Sequence, residues 1–95
     1  MIIELSLYEC QQFSNILPVQ GNLEILEIVD NIMKKVTKNV NEQTNTNEII
    51  KIDFDLFEIN FIKSMIKVLD RQQKINYNSL TLIKKFLKTK ETENV

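Results

Sequence analysis

Two short stretches of the chain, "IIELS" (2–6) and "IIKIDF" (49–54), place apolar side chains at every second position. That period puts alternate residues on one face, as in a strand with one side buried. Directly after each stretch the spacing lengthens to three and four, the repeat of an amphipathic helix. The pattern predicts a first helix from Leu7 to about Leu17, where Pro18 excludes its predecessor from helical geometry. "PVQGN" then reads as a turn, with Gly21 supplying a positive φ and Asn22 capping a second helix over roughly 23–38. A third helix is predicted over about 56–73 and a fourth over 75–88, the latter capped by Asn76 or Asn78 with Leu80, Ile83, Phe86 and Leu87 inward.

The third helix carries more apolar surface than a surface helix needs. Ile59, Ile62, Ile66 and Leu69 form one stripe, and Phe57, Phe61, Met65 and Val68 form a second beside it. A helix with so wide an apolar arc is either central to the fold or covered by another chain.

The two strand–helix–helix runs align with each other. A shift of 49 residues sets Ile3 over Ile52, Leu5 over Phe54, Leu7 over Leu56, Tyr8 over Phe57 and Glu9 over Glu58. One residue further, Lys34 and Lys35 fall over Lys84 and Lys85. The pattern predicts a mainly helical α+β fold of two β-α-α halves, with four helices, two short strands and an internal duplication. The first half spans 1–38, a polar linker 39–48, the second half 49–90 and a frayed tail 91–95, all within one compact domain.

Both strands run into the same local device. Ser6-Leu-Tyr-Glu9 and Asp55-Leu-Phe-Glu58 are capping boxes, in which the first side chain accepts from an N–H of the first helical turn and the Glu accepts from the cap's own N–H. This accounts for the acids in "DFDLFE" (53–58) without a metal or an acid/base pair, and leaves Asp53 on the outward face with Lys51.

Composition narrows the remaining chemistry. The chain has no histidine, one cysteine and one glycine, which excludes Ser–His and Cys–His catalysis, the usual zinc sites, an intrachain disulfide and glycine-rich phosphate loops. Cys10 reads as a small buried apolar residue. The expectation is a non-enzyme without cofactor. No long apolar run and no basic N-terminal region are present, so the reading is a cytoplasmic protein without membrane contact. Ninety-five residues bury only about 60–65 % of the unfolded surface, which favours a partner or self-association.

Charge is uneven. Residues 1–62 hold ten acidic and four basic side chains, whereas 63–90 hold eight basic and one acidic. Arg71, Lys74, Lys84, Lys85 and Lys88 are therefore candidates for binding an anion. An overall pI near 5.4 and a lone arginine weigh against nucleic acid as the main partner. The preferred reading is a protein-binding module acting as a homodimer, which modulates a partner protein through Phe57, Phe61, Met65 and Val68. The alternative is a small DNA-binding regulator whose last two helices, joined by "RQQKINYN", act as a helix-turn-helix variant.

In length, composition and the strand–capping-box–helix start, the chain resembles the small accessory proteins of phages and prophages of low-GC Gram-positive bacteria. The resemblance is one of general character and transfers no binding residue. It implies an inhibitor of a host factor, an anti-defence protein or a regulator of the phage cycle, working in the host cytoplasm.

Overall fold

A computed structural model describes residues 1–43 and 49–89. Strand β1 (Ile2–Ser6) leads into helices α1 (Leu7–Gln11) and α2 (Phe13–Ile16), followed by the long helix α3 (Leu23–Gln43). Strand β2 (Ile49–Asp53) precedes helix α4 (Leu56–Arg71), a 3₁₀ turn at Tyr77–Ser79 and helix α5 (Leu80–Lys88). The result is a small, mainly helical α+β domain with a two-stranded antiparallel sheet.

The sheet settles how the strands pair. Ile3 stands opposite Ile52, Glu4 opposite Lys51 and Leu5 opposite Ile50. Beyond the strand ends Met1 and Phe54 exchange backbone bonds at 2.9 and 3.0 Å, so bonded pairs fall at every second position and Glu4–Lys51 is a non-bonded pair. Ile3 thus faces Ile52, the residue that the 49-residue shift sets over it. The inward residues Ile3, Leu5, Ile50 and Ile52 are buried, while Ile2, Glu4, Ile49, Lys51 and Asp53 face out, as the alternation requires.

The core forms between the halves. Phe13 of the first half meets Phe54 and Phe86 of the second at centroid distances of 6.0 and 5.9 Å, and Phe54 meets Phe86 at 5.5 Å in an edge-on arrangement. Around these rings pack Ile32 and Val36 of α3, Ile59, Ile62 and Ile66 of α4, and Leu82 and Ile83 of α5. The inner stripe of the third helix is therefore core.

Several sequence expectations need correction. The first helix breaks at Gln12, whose N–H bonds Glu9 O at 3.0 Å, three residues back; the tighter step turns both Phe13 and Ile16 inward. Gly21 has no positive φ; among the described residues only Gln73 does, at 57°. It occupies the left-handed position of a Schellman turn, with Lys74 N–H bonding Leu69 O and Gln73 N–H bonding Asp70 O. The last helix starts at Leu80, after a 3₁₀ turn capped by Asn76.

The largest correction concerns the polar run 39–48. Residues 39–43 continue α3, because the Gln43 side-chain amide docks on the outer edge of β2. Its Nε2 donates to Lys51 O at 2.8 Å and its Oε1 accepts from Lys51 N–H at 2.9 Å, the two bonds a neighbouring strand would make. Asn39 supports it from one turn back by accepting from the same Nε2 at 2.9 Å. Residues 44–48 of the expected linker and the tail 91–95 lie outside the described residues.

Candidate partner-docking surface

Both helix starts are built as expected. Glu9 N–H donates to Ser6 Oγ at 3.0 Å and Ser6 N–H to Glu9 Oε1 at 2.8 Å; Glu58 N–H donates to Asp55 Oδ1 at 2.8 Å and Asp55 N–H to Glu58 Oε1 at 2.9 Å. Each glutamate is then claimed by a lysine of the other half. Lys35 of α3 lies 2.6 Å from Glu58 and donates to Asp53 O at 2.9 Å, while Lys85 of α5 lies 2.7 Å from Glu9 and donates to Glu4 O at 2.8 Å. The four residues are the repeat equivalents of one another, so the second helix of each half crosses over to clamp the start of the other. Burial alone would raise the Glu9 pKa, but Lys85, the Ser6 N–H and Thr81 together hold its carboxyl below the ordinary value.

These clamps decide where the candidate residues can act. Lys85 is bonded inside the molecule to Glu9 and to Glu4 O. Arg71 and Lys74 are exposed at the end of α4 and in the following turn, and Lys84 and Lys88 share an outer face of α5 four residues apart. Asp53 meets the N-terminal ammonium at 2.9 Å, which lowers its pKa. Among the described residues no three of His, Cys, Asp and Glu stand together as metal ligands. Cys10 is buried, and desolvation, followed by the charge of Glu9, pushes its thiol up to about 11.

The second stripe of α4 is placed differently from the first. Phe57 is 61 % exposed and Val68 38 %, and between them Phe61 and Met65 are half-buried. Phe57 borders a hollow of about 150 Å³ formed with Ile28 and Asn31 of α3. Met65, Val68 and Leu69 form one wall of a groove of about 420 Å³ whose other wall is Ile16, Leu17 and Pro18. Pro18 shapes this groove by ending α2: Leu17 becomes extended at φ −95°, ψ 143°, and the chain runs alongside α4. Amides of Asn15, Gln20 and Gln72 form the rim and supply hydrogen-bonding groups beside an apolar floor. The four predicted residues therefore follow one stripe that joins two depressions.

Sequence reasoning passed over Leu7 and Tyr8, which stand exposed at the start of α1 as Leu56 and Phe57 do at the start of α4. The signal was present, since the repeat sets Tyr8 over Phe57. It also passed over the second wall of the groove, because nothing local to 15–20 says that this segment meets α4.

No protein-family model, curated protein or solved structure matches the chain. Among the described residues no helix is long and apolar enough to cross a membrane.

Proposed function

We infer that the chain is a non-catalytic module that binds another protein along α4 and modulates it by occupying its surface. The observation that carries this reading is Phe57, a large ring left mostly in solvent on a stripe that continues through Phe61 and Met65 into the Leu17–Val68 groove. An exposed aromatic next to an apolar groove with an amide rim is the composition of an interface centre, where one or two rings supply most of the binding energy. The occupant that fits is a protein segment presenting large apolar side chains to the groove and backbone polar groups to Asn15, Gln20 and Gln72. The chain's general resemblance to phage accessory proteins supports a host or phage factor as that partner, and regulation or inhibition as the outcome.

The test uses two variants that leave the core untouched, Phe57→Glu and Val68→Glu. Capture from a lysate of the source organism should enrich one protein with the wild-type chain and lose it with both variants, while their thermal unfolding stays close to wild type. Equal capture by all three removes α4 as the interface. A duplex-DNA titration decides the alternative: binding that falls steeply with salt, survives Phe57→Glu and is lost when Arg71 and Lys84 are replaced by alanine would transfer the function to DNA.

A further inference from the structure

The two edges of the sheet are finished differently. Because Met1, Ile3 and Leu5 turn their backbone groups toward β2, Ile2, Glu4 and Ser6 turn theirs to the outer edge of β1, and Lys51 and Asp53 turn theirs to the outer edge of β2. The β2 edge is closed: Gln43 takes both backbone groups of Lys51, and Lys35 takes Asp53 O. On the β1 edge Ser6 N–H donates to Glu9 Oε1 and Glu4 O accepts from Lys85, but Ile2 N–H, Ile2 O and Glu4 N–H meet no partner among the described residues. Ile2 is 62 % exposed and Glu4 is exposed with it. Three unpaired main-chain groups in extended geometry are a template for one kind of occupant, another strand.

We propose that the β1 edge binds an extended segment of a partner protein by adding it to the sheet as a third strand, with a basic residue opposite Glu4 and an aliphatic residue opposite Ile2. Running antiparallel, the guest exchanges both bonds with Ile2 and accepts from Glu4 N–H, which closes every group left open. From its N-terminus it reads basic, any residue, aliphatic, because the residue opposite Glu4 precedes the one opposite Ile2 by two. Charge chooses the first position. Although Lys51 stands across the ladder, Glu4 forms no ion pair among the described residues, so a lysine or arginine on its open side meets a carboxylate that is not neutralised. Ile2 chooses the second, since an aliphatic neighbour on the outer face covers a side chain left in water. A second copy of β1 fits poorly: the antiparallel registers that pair both Ile2 and Glu4 set Glu4 against Glu4, a like-charge pair, or against the apolar Ile2. The edge is separate from the α4 stripe and does not depend on what docks there.

Amide exchange on the full chain is the first measurement. Ile2 and Glu4 should exchange rapidly and Ile3 and Leu5 slowly, at micromolar and millimolar protein alike. Protection of Ile2 and Glu4 that grows with concentration would mean that a second copy fills the edge, and would overturn the proposal. The probe is then the acetylated and amidated peptide Thr-Lys-Thr-Val-Thr, titrated to millimolar concentration into isotope-labelled protein. It should shift and protect the Ile2 and Glu4 amides, the same peptide with glutamate in place of lysine should bind roughly fivefold more weakly, and a form N-methylated at the valine should lose binding. Glu4→Lys leaves the backbone template in place and should reverse the order of the lysine and glutamate peptides. Phe57→Glu should change none of these titrations, which separates the edge from the α4 surface. Unmoved Ile2 and Glu4 amides at millimolar peptide, shifts confined to α4, or a Glu4→Lys variant that keeps the wild-type preference refutes the assignment.

Discussion

Replacing Lys35 by methionine keeps most of the side-chain volume and removes the ammonium that joins the two halves. The structure assigns that ammonium two partners, Glu58 Oε1 at 2.6 Å and Asp53 O at 2.9 Å. Glu58 is only 12 % exposed at its side chain, so without Lys35 its carboxylate keeps the Asp55 N–H but loses its counter-charge. A hydrogen bond to a charged group contributes about 1.5–3 kcal/mol, and stranding a wholly buried charge costs about 3–5 kcal/mol. Because some solvent reaches this site, we expect a loss of about 2 kcal/mol. Lys85→Met should cost about the same, since Lys85 makes the equivalent pair of contacts to Glu9 and Glu4 O, and the double variant should lose about 4 kcal/mol if the two clamps act independently. The control is Lys34→Met, whose exposed i, i+4 pair with Asp30 is worth about 0.3–0.5 kcal/mol. Urea unfolding at neutral pH measures all four, and each single clamp variant should also lower Tm by roughly 8–16 °C. If Lys35→Met unfolds within about 0.5 kcal/mol of Lys34→Met, the clamp is a surface contact and the account of half-to-half cohesion fails.

Three further outcomes follow from single residues. The Cys10 thiol is held protonated in the fold, with its pKa raised from 9.0 to about 11, so its contribution is complete below pH 9 and is lost as pH climbs to 11; Cys10→Ala should flatten the alkaline fall in stability by about 2–3 kcal/mol, read from denaturant midpoints across that range. Gln73 occupies the left-handed turn position at φ 57°, where glycine is free of strain, so Gln73→Gly should raise stability by about 0.5–1 kcal/mol in the same unfolding assay. Gln43→Ala uncovers both backbone groups of Lys51 and shortens the anchor of α3; a loss of about 1–2 kcal/mol is expected, together with faster amide exchange at Lys51, and unchanged exchange there would refute the edge-capping role.

Much of the architecture was legible because its signals are local. Period-two alternation located both strands, and each capping box located a helix start to the residue. The repeat alignment placed Glu9 with Glu58 and Lys35 with Lys85, but it could not say that the lysines cross over, since alignment compares halves and does not orient them. Residues 39–43, Asn-Val-Asn-Glu-Gln, read as a loop because they are mostly polar, lack an apolar period and include two asparagines, which are weak helix formers; the contact between Gln43 and Lys51, formed on folding, overrides that signal. The break at Gln12 has the same origin, for the core needs Phe13 and Ile16 on one side and the chain bends to supply them. Along α4 the two apolar stripes were visible, yet which of them is covered depended on where α2 and α5 fall. The inner stripe went to the core and Phe57 stayed outside.

The pairing of Ile3 with Ile52 has a consequence for how the protein comes into being. A ribosome adding about 5–20 residues per second leaves the first strand and its helices waiting several seconds before the complementary strand emerges. During that interval Phe13 lacks the Phe54 and Phe86 rings that it meets in the complete fold. The nascent first half is therefore open to chaperones, or to the same segment on a neighbouring ribosome of the same message, until synthesis supplies its match.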